Sequence, residues 1–241
     1  MTLSTSFRSL VSRRQVPQSD HPEIRRMIGY RDSCAPTQVS FPATALRDTR
    51  VARWLREHRL AVDVRTLAEL HSAISVGIHP VLITVHADHL DIGDIRRVAA
   101  VGVGRLVLSC PDQTMSLRAG RSQNVLLRMT DATTPSDRDT AVDTVIGCPS
   151  ATLIGLLCEI GTTPDGFVSC SAAVDTMIAQ MDHIRRRHNV VLTTLILGFG
   201  DIGSALDSSV VRRDLAEGID ESVDDACATL RFPRPAIVLA A

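Results

Sequence analysis

The run Val85-His86-Ala87-Asp88-His89 sets two imidazoles and a carboxylate close together. Neutral imidazole and carboxylate are ligands for zinc and iron, but a site needs three or four such groups in one shell. Glu159 is the residue that could face this run from elsewhere in the chain. A surface loop with helix-capping side chains accounts for the same residues, so no metal is assigned, and His86, Asp88 and His89 stand as the candidates if one binds. A second group, Gly198-Phe199-Gly200-Asp201-Ile202-Gly203, spells G-x-G-x-x-G after an apolar run. A dinucleotide site would need a following strand that ends in an acid for the ribose, and the next apolar run ends in Leu239-Ala240-Ala241. Backbone N–H groups of Gly198, Gly200 and Gly203 could instead cradle a phosphate ahead of a helix N-terminus. Asp201 opposes that, and a plain turn fits equally well. Asp63 and Arg128 carry opposite charges and are candidates for an ion pair that needs no ligand. Cys110 and Cys158 could act as nucleophiles only beside a base that lowers their pKa, and buried packing explains them more simply.

The most informative feature is an absence. All 26 basic residues are arginine, so no ε-amino group exists in the 241 residues. A Schiff base with a carbonyl substrate or coenzyme requires an amine, and a side-chain amine is what this chain lacks.

Positioning these groups requires a scaffold whose period is legible. Short apolar runs at 39–45, 60–64, 81–85, 105–109, 124–128, 153–158, 192–197 and 236–239 read as eight strands. They are continuously apolar rather than alternating, the mark of parallel strands buried on both faces. Helices are expected at 21–30, 48–59, 66–76, 91–100, 111–119, 171–188 and 208–230, from apolar spacing and from Pro22 and Pro111 in first turns. The polar stretch 130–150 carries no clear pattern. Eight βα units favour an α/β fold of the (β/α)8 TIM-barrel type in a single domain over 21–241, behind a disordered tail over 1–20. The eighth helix is missing from the count, and 21–30 could cover that side. In such barrels chemistry sits at the carboxyl ends of strands, which draws attention to Thr44, Asp63, His86, Arg128, Glu159 and Gly198.

Composition narrows the partners. A net charge of −1 and a pI of about 6.7 suggest neither nucleic acid nor a membrane surface. No apolar run approaches the length of a spanning helix, and six scattered cysteines without a C-x-x-C pair point to reduced thiols and a cytoplasmic setting.

Several segments in order resemble the fold-type III pyridoxal-phosphate decarboxylases, the diaminopimelate, ornithine and arginine decarboxylases, whose barrel is of the alanine-racemase type. Asp63-Val64-Arg65-Thr66-Leu67-Ala68-Glu69-Leu70 followed by Gly77 is similar to their D-V-x-S-x-x-E-L…G run. Gly102-Val103-Gly104-Arg105-Leu106-Val107-Leu108-Ser109 is similar to G-V-x-x-I-V-V-D, Leu126-Leu127-Arg128-Met129 to the L-R-I strand, and the segment from Gly155 to Thr162 to G-x-x-x-H-I-G-S. Leu195 to Gly200 falls on the family's glycine loop, and Pro233 to Leu239 on the strand before E-P-G-R. The resemblance implies a pyridoxal-phosphate barrel with Asp63, Arg128, Gly198, Gly200 and Gly203 on the cofactor side. It also exposes departures. The family's Y-A-x-K-A-N strand is replaced by Phe41-Pro42-Ala43-Thr44-Ala45-Leu46, which puts Thr44 at the lysine position, and the cofactor-stacking histidine falls on Glu159. The acid of E-P-G-R that would protonate the pyridine nitrogen is not matched. A barrel lacking the family's C-terminal β-domain is expected, with pyridoxal phosphate implied by the family but unsupported at these positions.

The expectation is therefore a degenerate relative, a pseudoenzyme that binds or regulates through a small ligand, phosphorylated or not. One alternative is a decarboxylase or racemase completed by a partner chain, and another is metal-assisted chemistry on the same barrel. A homodimer is compatible with either.

Overall fold

The computed structural model of the chain describes residues 20–117, 122–161, 166–199 and 208–240. The eight expected strands form as β1 (Gln38–Pro42), β2 (Ala61–Val64), β3 (Ile83–His86), β4 (Arg105–Leu108), β5 (Gln123–Met129), β6 (Ala151–Glu159), β7 (Thr194–Gly198) and β8 (Ala236–Ala240). Each runs parallel to the next, and β8 pairs with β1 through Val39 and Leu239, so the sheet closes in sequence order into a barrel. Closure leaves no strand edge unpaired.

The helices are α1 (Pro22–Ser33), α2 (Thr49–Glu57), α3 (Leu67–Ser75), α4 (Ile92–Val101), α5 (Pro135–Ile146), α6 (Cys170–His188) and α7 (Ser209–Leu230). Their starts follow local chemistry. Asp48 accepts the N–H of Arg50 at 2.8 Å and so caps α2. Thr66 caps α3 by accepting from the N–H of Glu69 at 3.2 Å, while the Glu69 carboxylate reaches back to the N–H of Arg65 at 2.7 Å. Asp91 caps α4 through the N–H of Asp94, and α4 ends on Gly102 at φ 75°, the left-handed conformation that glycine adopts without strain.

Four expectations change. The segment expected as a helix over 111–119 is a 3-10 run, Pro111–Leu117, and residues 118 and 119 lie outside the described residues. The patternless stretch 130–150 holds α5. Its start signals were present, with Thr134 as cap, Pro135 in the first turn and Asp137 behind it, but only Val142 and Val145 on it are buried, too few to draw an apolar stripe. β1 ends at Pro42, and the next residues form a 3-10 turn, Ala43–Arg47. β3 begins at Ile83, because Pro80–Leu82 form another 3-10 turn. The expected covering role of the first helix holds: α1 lies against α7, where the Arg212 guanidinium stands 4.8 Å from the centre of the Tyr30 ring. Of the tail assigned to 1–20, residues 1–19 lie outside the described residues.

Side chains alternate along each strand. One set, including Val62, Val64, Val85, Leu106, Leu127, Leu156 and Leu195, joins the core beneath the helices. The other set fills the barrel, and it is divided. On the β4–β8 side, Val107, Leu126, Leu157, Ile196 and Val238 pack as a separate apolar cluster. On the β1–β4 side, register places Pro42, Asp63, Thr84 and Arg105 in one row across four strands, with His86 beside Val107 in the row above. The strands are thus not uniformly apolar: β2 and β3 carry polar groups into the interior. Among the described residues no helix is long and apolar enough to cross a membrane, and the six cysteines form no disulfide.

Candidate functional site

The carboxyl ends of β2, β3, β5 and β6 bring four charged side chains together. Arg128, from β5, donates through Nη2 to Glu159 Oε1 on β6 at 3.1 Å and lies 3.1 Å from Asp88 Oδ2. Arg65, just past β2, bridges the same two carboxylates at longer range, 3.8 Å to Glu159 and 3.9 Å to Asp88. The Ser109 hydroxyl donates to the other Asp88 oxygen. Gln113 ties the ends of β3 and β4 together: its amide donates to the Ala87 carbonyl, and its oxygen accepts from the N–H of Ser109, both at 2.8 Å. Two anions and two cations therefore form an alternating bridge over the barrel mouth.

This bridge separates two cavities. The inner one, about 240 Å³, opens onto Pro42, Thr44, Asp63, Glu69, His86, Glu159 and Gly198, with Arg65 at its rim. The outer one, about 650 Å³, lies over β4, β5 and α5 and is bounded by Arg65, Asp88, Ser109, Arg128, Thr130 and Arg138. The inner cavity reaches down to the polar half of the barrel interior. There His86 Nε2 stands 3.6 Å from Asp63 Oδ1, too far for a hydrogen bond. Both Asp63 oxygens and both His86 nitrogens are buried and have no hydrogen-bond partner, as are the hydroxyls of Ser40 and Thr84. Below them burial draws the Arg105 guanidinium under its usual range, and the charge of Asp63 pulls it back.

Glu159 is held from a second side. A Cβ placed on Gly198 would collide with its carboxylate, so glycine at the end of β7 is what lets Glu159 turn inward toward Arg128. The G-x-G-x-x-G segment begins at this Gly198; Gly200, Asp201 and Gly203 lie outside the described residues.

The structure therefore sorts the sequence candidates. Asp63 and Arg128 do not pair: Asp63 faces His86, and Arg128 takes Asp88 and Glu159, because the two residues stand on strands separated by β3 and β4. His86, Asp88 and His89 part company. His86 points into the barrel at 2% exposure, Asp88 joins the bridge, and His89 is exposed on the outer cavity. Among the described residues no three His, Cys, Asp or Glu side chains are placed to hold a metal ion. Cys158 is fully buried and burial pushes its thiol far above the ordinary range, which suits packing and not attack. Cys110 is exposed. Thr44 is exposed on the turn after β1 and lines the inner cavity.

Sequence reasoning missed Arg65, Glu69 and Arg105. Strand alternation held the signal for two of them: Arg65 lies two residues after Asp63 and so continues its face, and Arg105 shares a register row with it. Glu69 was legible only as a helix cap.

Residues 23–143 match the family model for the pyridoxal-binding domain of pyridoxal-dependent decarboxylases. A diaminopimelate decarboxylase of Actinosynnema pretiosum is 28% identical over 160 residues, covering 57% of this chain and 37% of that protein. Another, from Corynebacterium efficiens, is 22% identical over 232 residues, covering 85% of this chain and 50% of the other. The chain thus spans half or less of these relatives. The crystal structure of a lysine/ornithine decarboxylase from Vibrio vulnificus, complexed with cadaverine, superposes with a TM-score of 0.74 over 90% of this chain and 58% of that one, at 17% identity. At that identity the likeness concerns the fold.

Proposed function

Because the chain belongs to the pyridoxal-dependent decarboxylases through their pyridoxal-binding domain, we propose that it has kept the family's barrel but not its coupling to the coenzyme, and that it holds a small ligand without a covalent bond. The observation that carries this reading is the pairing of two facts. The 241 residues contain no lysine to link to an aldehyde, and the resemblance puts Thr44 at the position of the family's lysine. The resemblance puts Glu159 at the position of the family's stacking histidine, and its carboxylate pairs with Arg128 and Arg65. A hydroxyl forms no carbonyl–amine linkage, and a carboxylate offers a pyridine ring no aromatic face. The residues present do not fit a lysine-tethered pyridoxal phosphate, so no reaction step is assigned to it.

The barrel mouth still has the features of a binding site: concave, partly apolar, with convergent polar groups. Both arginines of the bridge are shared with carboxylates, so a phosphate on the ligand would have to compete with Asp88 and Glu159 there. Binding with a regulatory or sensing consequence, in a cytoplasmic setting that suits six unpaired cysteines, is the role this supports.

The test is chemical. The purified chain is incubated with pyridoxal phosphate, reduced with borohydride and measured by intact mass. The folded chain is expected to carry no more pyridoxyl adduct than the urea-unfolded chain gains at its α-amino group. A stoichiometric adduct formed by the folded chain and not by the unfolded one would overturn the reading.

A further inference from the structure

The outer wall of the barrel separates its charges by sign. On α2 the buried Val51, Trp54 and Leu55 fix the inward face. The opposite face carries Arg50, Arg53 and Arg56, with Arg47 in the turn before the helix and Arg59 just past its end. All five arginines are exposed. Among the described residues only Arg56 has a partner for its guanidinium, the carbonyl of Val76. Glu57 is the one carboxylate on this helix, and it is exposed beside them.

α7 does the opposite. Ala216, Ile219 and Val223 are buried and set its inward face. Asp214, Glu217, Glu221 and Asp225 follow one another at helical spacing, so they stand in a row about 16 Å long on the outward face. All four are exposed, and none has an ion-pair partner among the described residues. Asp220 and Asp224 beside them are taken by Arg234, and Arg213 is the exposed cation on the flank. Like charges in a row on one helix repel. The whole chain has a net charge of only −1, so these rows reflect segregation and not a general excess. A surface that meets only water does better with its signs interspersed.

α1 touches both α2 and α7, so the order across this side of the molecule is basic face, α1, acidic face. A two-fold axis through α1 lays the basic face of each copy on the acidic face of the other, and both contacts form at once. α1 adds little charge of its own: Glu23 pairs with Arg26 and Asp32 with Arg31, which leaves Arg25.

We infer that the outward faces of α2 and α7 are the two halves of a self-complementary interface, through which a second copy of this chain docks to give a closed dimer. Exposed ion pairs contribute little singly, so the dimer is weak and sensitive to salt. It forms on helices outside the sheet and leaves the strand ends that bear the candidate site uncovered.

The experiment is sedimentation velocity of the full chain in about 0.01 M and about 1 M sodium chloride, where charges act over about 30 Å and about 3 Å. A dimer is expected at low salt and a monomer at high salt, with the dissociation constant rising about 10-fold or more. Two triple variants then test the faces. Arg47→Glu with Arg50→Glu and Arg53→Glu turns the α2 face acidic, and Asp214→Arg with Glu217→Arg and Glu221→Arg turns the α7 face basic. In each variant both faces carry the same sign, and each is expected to be monomeric at low salt. Mixed in equal amounts the two are expected to pair, since every face of one then meets the opposite sign on the other. Pairing in the mixture also shows that both variants are folded. A native chain that is monomeric at low salt, a dimer that survives either triple variant, or a mixture that stays monomeric would overturn the inference. Native species larger than a dimer would overturn the closed two-fold arrangement.

Discussion

Glu159 Oε1 and Arg128 Nη2 meet at 3.1 Å across β6 and β5. Both side chains are 18% exposed, and Asp88 shares the guanidinium from the other side. Partial exposure and a shared partner limit what the pair contributes, so Glu159→Ala is expected to cost about 1 kcal/mol in urea unfolding. A loss above about 3 kcal/mol would mean that Arg128 is left as an uncompensated buried charge, and that Asp88 does not hold it as described.

Gly198 and Glu159 should be coupled. Adding a methyl group at Gly198 drives it into the Glu159 carboxylate. Gly198→Ala is expected to cost about 1 kcal/mol alone, the loss of the displaced Glu159 pairing, and little in a Glu159→Ala background. Measured as a double-mutant cycle, the interaction should be on the order of 1 kcal/mol or more. Strict additivity would contradict the close approach.

The barrel interior and its rim should respond very differently to truncation. Leu157 is fully buried in the cluster inside the barrel, and Leu157→Ala is expected to cost about 2–5 kcal/mol. Thr44 is exposed on the turn after β1, and Thr44→Ala is expected to change stability by less than about 0.5 kcal/mol. Chemical denaturation of both variants checks the contrast.

Much of this arrangement was legible in the sequence. Eight apolar runs separated by helical spacing are enough for a closed parallel barrel, and the order of strands in the chain is their order around it. Thr44, Asp63, Arg128 and Glu159 could be placed at strand ends from the apolar runs. What escaped was pairing. Asp63 and Arg128 looked complementary because opposite charge is visible in a sequence and strand separation is not. α5 escaped because its apolar face is only two buried valines wide, and Arg65 because a charged residue just past a strand reads as solvent-facing until the alternation from Asp63 is followed inward.

Stability at alkaline pH should carry the signature of the buried thiols. Burial pushes the Cys170 thiol up from 9.0 to about 11 and Cys158 higher still. In the unfolded chain these thiols ionise near the ordinary value, so above it the unfolded state holds fewer protons than the folded one. Their contribution is intact below pH 9 and is lost as pH rises from 9 through 11. Thermal unfolding across that window should show a falling Tm, with a shallower fall in Cys170→Ala. An unchanged slope in that variant would place the effect elsewhere.

The most direct measurement of the central claim is carbon dioxide release. The full chain is supplied with excess pyridoxal phosphate and, in turn, with diaminopimelate, ornithine, lysine and arginine. A barrel with no ε-amino group and a paired carboxylate at Glu159 predicts release no faster than from pyridoxal phosphate in buffer alone. Saturable turnover that is lost on heat denaturation of the protein would contradict the account.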